Sequence, residues 1–231
     1  MKESVSALQK AEGLPYHPSR GRVVYMIYLA ERKEREGLAA GEKRKEQSRA
    51  ARELLLSGLS KEYGMEQLPP IARRQQGKPF FPVYPDIRFN YSHCACGLLC
   101  GISRFEIGVD MEGLISARER LVRRICHENE KQLLEKTKEG YERDRLLTRF
   151  WTAKESYLKC TGTGICMPLA ELDFSGCING GVFKERYRMC FADGADYVAA
   201  VCEENGQTQG SELVWLNFTD FAPSAKSWVE L

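Results

Sequence analysis

"GLLCGISRFEIGVDMEG", residues 97–113, holds two apolar runs joined through Ser103 and Arg104, and its reading decides the architecture. GLLCGIS and EIGVDME each have the length and composition of a strand. In the second run Ile107, Val109 and Met111 alternate with Gly108, Asp110 and Glu112. Successive strand side chains point to opposite faces, so Asp110 and Glu112 share one face, roughly 7 Å apart along the strand. Each carboxylate raises the cost of ionising the other. An acidic strand end is one reading of the pair. A divalent cation that cancels the repulsion is the other, and hard oxygen donors favour Mg²⁺ over zinc.

Working outward, residues 1–20 are polar and broken by Gly13, Pro15 and Pro18, as in a loose leader or early loop. GRVVYMIYLA (21–30) reads as the first strand. In residues 41–64, Ala50, Leu54, Leu55 and Leu59 recur about one helical turn apart among charged residues, predicting an amphipathic helix closed by Gly64. The stretch 68–86 carries five prolines and reads as an irregular connector. IRFNYSH (87–93) alternates Ile87, Phe89 and Tyr91 with Arg88, Asn90 and Ser92, as a strand does. From Ser116 to Cys160 the pattern is helical, strongest over RDRLLTRFWTAKESYLKC (143–160) and stopped by the glycines of TGTG. RYRMCFA (186–192), YVAAVCE (197–203) and LVWLNF (213–218) read as strands, with Asp193-Gly194 as turn chemistry. Both halves run from strand through helix to two strands. The expected fold class is therefore α/β (α+β) with two related lobes, residues 1–103 and 104–231, although no residue-level repeat links them.

A chain of 231 residues with 43% hydrophobic content can bury a sizeable core, and 34 basic against 32 acidic residues give no global charge suited to nucleic acid or a membrane surface. No apolar run approaches the roughly 20 residues of a membrane-spanning helix, and MKESVSALQK lacks the apolar core of a secretory signal. A soluble, cytoplasmic protein is expected, with no nucleic-acid or membrane partner. Nine scattered cysteines fit reduced, mostly buried thiols better than a disulfide framework.

Four constellations could carry chemistry. Besides the acidic pair, Trp151, Glu155 and Lys159 stand at i, i+4 and i+8 on one helical stripe. By spacing alone Glu155 and Lys159 equally make a surface ion pair, which stabilises a helix by about 0.2–0.5 kcal/mol. GKP (77–79) and NYSHC (90–94) offer Lys78 and His93, which singly read as a solvated lysine and a structural histidine. Lys43, Arg44, Lys45, Arg49 and Arg52 form either the wet face of a helix or a phosphate cradle. A zinc module of His93, Cys94, Cys96 and Cys100 has poor spacing, because Cys-x-Cys within a strand pair lacks the turn of a zinc knuckle.

In order and at this spacing, GKP, FNYSH, GVDME and FWTAKESYLKCTGTG resemble the Sfp-type 4′-phosphopantetheinyl transferases, and RRICHENE (123–130) is similar to that family's segment between the last two motifs. The resemblance covers residues 42–164. Tyr91 stands where the family more often has a smaller aliphatic residue, and Cys94 where serine is commoner.

The resemblance implies a pseudo-dimer of two lobes, each a small, mostly antiparallel sheet packed with helices, with coenzyme A and Mg²⁺ in the cleft between them. A monomer is expected, since the length fits the two-lobed branch and not the half-size trimeric synthases. Asp110, Glu112 and Glu155 are then the metal ligands, and Glu155 and Lys159 the catalytic residues. Lys159, Ser92 and His93 contact coenzyme A phosphates, Lys78 sits at the nucleotide end, and Arg52 matches the basic residue at the 3′-phosphate. The implied reaction moves 4′-phosphopantetheine from coenzyme A to a serine of an apo acyl or peptidyl carrier protein, as in secondary metabolite biosynthesis, and releases adenosine 3′,5′-bisphosphate.

Overall fold

The structure is a computed structural model describing residues 24–31, 40–164, 166–204 and 212–217. Residues 1–20 and the side chains of Lys43 and Arg44 lie outside the described residues. The chain is an α+β protein with two four-stranded sheets. β1 (Val24–Glu31) is followed by helix α1 (Ala40–Tyr63), two short paired strands, β2 (Ala72–Arg73) and β3 (Pro79–Phe80), and the hairpin of β4 (Arg88–Cys94) and β5 (Gly97–Ser103). β6 (Ile107–Gly113) then opens the second sheet. It is followed by helices α2 (Glu119–Ile125), α3 (Glu128–Lys136) and α4 (Tyr141–Thr161), then β7 (Gly181–Phe183), β8 (Tyr187–Asp193), β9 (Tyr197–Glu203) and β10 (Glu212–Asn217).

The two halves share a strand order. β5, the second strand of its hairpin, inserts between β1 and β4, and β9 likewise inserts between β6 and β8, all antiparallel. This is the topological form of the related halves expected from the sequence. β10 pairs parallel with β1, so the last described strand joins the sheet of the first half. The two apolar runs of residues 97–113 also part company, since β5 and β6 belong to different sheets.

Each sheet carries a helix. The apolar stripe of α1, including Leu54, Leu55 and Leu59, buries itself against Phe89 of β4 and Ile102 of β5. Each such leucine contributes about 1.5–3 kcal/mol of hydrophobic stabilisation. α4 lies across β6 and β9. Its approach to β6 needs Gly108, where a Cβ would fall 2.0 Å from the Ser156 carbonyl oxygen and 2.2 Å from the Cys160 amide. Gly162 ends α4 with φ 68°, in the left-handed region that glycine adopts without strain.

The sheets meet at edge strands β4 and β6, where Asn90 Oδ1 accepts a 3.0 Å hydrogen bond from the Val109 amide. The Asn90 side chain thus does the work of a ladder carbonyl between strands of different sheets. Leu99 of β5 shares an apolar cluster with Ile107, Val109, Met111, Ala199 and Val201, which binds the halves together behind that seam. Among the described residues no helix is long and apolar enough to cross a membrane. The described cysteines are free thiols.

Candidate active site

The alternation of β6 turns Ile107, Val109 and Met111 into the cluster between the halves, and so leaves Gly108, Asp110 and Glu112 on the face toward α4. The side chain of Asp110 is buried, only 4% exposed. Its Oδ1 accepts 2.6 Å from Lys159 Nζ and 2.9 Å from Ser92 Oγ, and Lys159 Nζ also donates to Ser92 Oγ at 3.1 Å. Three elements from both halves, β4, β6 and α4, therefore converge on one carboxylate oxygen. The other, Asp110 Oδ2, is buried with no hydrogen-bond partner.

Glu112 and Glu155 flank this triad and feel its charge. Burial, and after it the negative charge of Asp110, push the Glu112 carboxyl up to about 7, with Lys159 opposing and Glu155 adding to the rise. Burial and Asp110 likewise raise Glu155 above the ordinary carboxylate range, against the pull of Lys159. One ammonium thus balances three carboxylates. Among the described residues no three His, Cys, Asp or Glu side chains are gathered closely enough to hold a metal ion.

The stripe on α4 exists because its other faces are buried. Phe150, Ala153 and Leu158 enter the core, and Lys154 is wholly enclosed, donating to Glu130 at 2.6 Å and to the carbonyls of Ile125 and Leu169 at 2.5 and 3.0 Å. Glu130 also accepts from the amides of His127 and Phe174, both at 2.9 Å. This satisfied pair ties α4 to α2, α3 and the following loop, and leaves Glu155 and Lys159 half-buried on the open side.

A cavity of about 240 Å³ opens beside Glu155 and Lys159, with Arg73, Lys78, Asn90 and Tyr91 among its walls. Of the residues expected at a phosphate-binding cleft, Lys78, Glu155 and Lys159 line it, and Ser92 reaches the site through Asp110. His93, half-buried on β4, and Arg52, exposed on α1, are not among its lining residues. The Lys78 ammonium hydrogen-bonds Glu106 Oε2 and the Cys160 carbonyl, both at 2.5 Å. Asn90 and Glu106 escape a motif-based reading of roles. Asn90 was visible as a polar residue inside an apolar strand, whereas nothing local marks Glu106.

Residues 106–202 match the 4′-phosphopantetheinyl transferase superfamily. The chain is similar to a 4′-phosphopantetheinyl transferase of Bacillus subtilis, 27% identical over 157 residues, which cover 64% of this chain and 70% of that protein. It is similar to the 4′-phosphopantetheinyl transferase gsp of Aneurinibacillus migulanus, 32% identical over 97 residues, 42% of this chain and 40% of the relative. With the 4′-phosphopantetheinyl transferase Sfp of Bacillus subtilis (strain 168) it shares 30% identity over 118 residues, 50% of this chain and 52% of the relative. It thus spans about half the length of the last two relatives. The segment that carries Asp110, Glu112, Glu155 and Lys159, residues 106–202, is thus similar to the 4′-phosphopantetheinyl transferase superfamily.

Proposed function

We propose that the protein is an Sfp-type enzyme that transfers 4′-phosphopantetheine from coenzyme A to a serine of an apo acyl or peptidyl carrier protein, releasing adenosine 3′,5′-bisphosphate. The observation that carries this reading is the convergence of Ser92, Asp110 and Lys159 beside the cavity that Glu155 also lines. Phosphoryl-type transfer asks a protein chiefly for position and for charge placed against the phosphates, and this site supplies both.

Asp110, with Glu112 and Glu155, would hold Mg²⁺ jointly with substrate phosphate oxygens, since the three carboxylates are not by themselves gathered closely enough to enclose an ion. The unpartnered Asp110 Oδ2 and an all-oxygen donor set fit a hard divalent cation. When bound, such an ion supplies positive charge against the pyrophosphate oxygens. Glu155, which lines the cavity, accepts the proton of the carrier serine. The serine oxygen forms its bond to the β-phosphorus of coenzyme A as the pyrophosphate P–O bond breaks, and Lys159 stabilises the charge on the departing bisphosphate. Ser92 and Asp110 hold the Lys159 ammonium in place until substrate arrives.

The test is release of adenosine 3′,5′-bisphosphate from coenzyme A with Mg²⁺, with and without an apo-carrier domain. Release only when the carrier is present supports the proposal. Equal release without it would instead indicate a metal-dependent phosphohydrolase.

A further inference from the structure

We infer that Glu106 is a positioning residue of this site, acting through Lys78 to fix the last turn of α4 and hence Lys159. The inference rests on the transferase reading for its functional consequence and on geometry for the brace itself. Glu106 lies in the short connector between β5 and β6, where the chain passes from one sheet to the other. Three cations from the first half close on its carboxylate: Arg74 Nη2 at 2.6 Å, Lys78 Nζ at 2.5 Å and Arg88 Nε at 3.3 Å. Burial alone would raise its carboxyl, but hydrogen bonds and charge from Lys78 and Arg74 outweigh this and hold it below the usual value.

Lys78 carries the constraint onward. Its side chain is 5% exposed, and besides Glu106 its ammonium bonds the carbonyl of Cys160, the residue after Lys159. That carbonyl is among the last four of α4, which have no partner within the helix and favour a cation. The Lys78 stem also packs on the end of the helix, where a Cβ on Gly162 would stand 3.1 Å from Lys78 Cδ. The Cys160 thiol adds a hydrogen bond to the Glu106 carbonyl at 3.1 Å. The Gly77-Lys78-Pro79 loop, the start of β6 and the end of α4 are therefore locked around one ion pair. An enclosed ammonium with both bonds made is a brace. To meet a phosphate it would have to abandon Glu106, and without Glu106 it would be a buried charge lacking its counterion.

The two roles open to Lys78 give opposite results for Glu106→Ala. As a brace, Glu106→Ala and Lys78→Ala each weaken coenzyme A binding, measured calorimetrically, and lower turnover on the order of tenfold to a hundredfold by misplacing Lys159. The double variant is then no worse than either single one, as for two residues acting as a unit. As a phosphate ligand, Lys78 would be freed by Glu106→Ala, and coenzyme A would bind as tightly or more tightly, which overturns the inference. Glu106→Gln keeps the shape and removes the charge, and gives the same reading should the alanine variant not fold. Simple loss of folded protein lowers the active fraction without changing the dissociation constant. Hydrogen exchange of ligand-free protein is the second readout: the brace predicts faster exchange of the Thr161 and Gly162 amides in Glu106→Gln, and unchanged exchange overturns it. If the wild type binds no coenzyme A, the transferase proposal fails, and exchange alone decides the brace.

Discussion

Lys159 Nζ lies 2.6 Å from Asp110 Oδ1, and this ion pair joins the last turn of α4 to edge strand β6 beneath the cavity. Asp110 is nearly enclosed while Lys159 keeps 30% of its side chain exposed, so the pair is asymmetric. The lysine can leave for another anion at small cost, whereas the aspartate needs a cation in its place.

Replacing Lys159 with Met should therefore destabilise the metal-free protein by about 1–3 kcal/mol, since Asp110 keeps only Ser92 as a donor. Urea melts measure the loss. The same variant should bind Mg²⁺ more tightly than wild type in calorimetry without coenzyme A, because no internal cation competes for Asp110. Weaker binding would contradict this account of the pair.

Gly108→Ala tests the approach of α4 to β6. A Cβ 2.0 Å from the Ser156 carbonyl oxygen meets backbone, which no rotamer change relieves. Overpacking of this kind costs about 3 kcal/mol. Because the displaced helix carries Glu155 and Lys159, coenzyme A binding should weaken even where the variant remains folded.

Lys154 and Glu130 are both wholly enclosed, so removing either charge strands the other. Lys154→Met or Glu130→Gln should each cost about 3–5 kcal/mol in denaturant unfolding. The double variant Lys154→Met/Glu130→Gln should cost less than the sum, since it leaves no unpaired charge. Additive losses would mean that the two side chains do not act as a pair.

The raised Glu112 carboxyl predicts a pH dependence with a definite sign. Between the ordinary carboxylate range and about 7, folded Glu112 holds a proton that the unfolded chain has released. Stability of metal-free protein must then fall as pH rises through that window. Because Glu112 is only partly buried, solvent screening makes the slope shallow. Glu112→Gln should flatten the pH profile of thermal melts between pH 5 and 7. An unchanged slope would remove Glu112 as its source.

The acidic pair and the Glu155–Lys159 stripe were legible because strand and helix periods are local, so a few residues suffice to assign a face. The strand order was half legible. The hairpins β4–β5 and β8–β9 follow from short connections, but the parallel pairing of β10 with β1 joins segments nearly a whole chain apart. The meeting of β4 and β6 rests on Asn90, whose partner lies 19 residues away in another sheet. Glu106 sits in a connector, where no period applies, and two of its partners are 28 and 32 residues away. Lys78 was recognisable by its motif, but its burial against the end of α4 depends on tertiary packing that the motif does not contain.

Intact mass spectrometry of an apo-carrier domain incubated with coenzyme A and Mg²⁺ tests the central claim most directly, run in parallel with wild type, Asp110→Ala and Glu155→Ala. The account predicts a phosphopantetheine adduct on the carrier serine with wild type and none with either folded variant. No adduct from wild type on any carrier, or near-normal adduct formation by both variants, would contradict it.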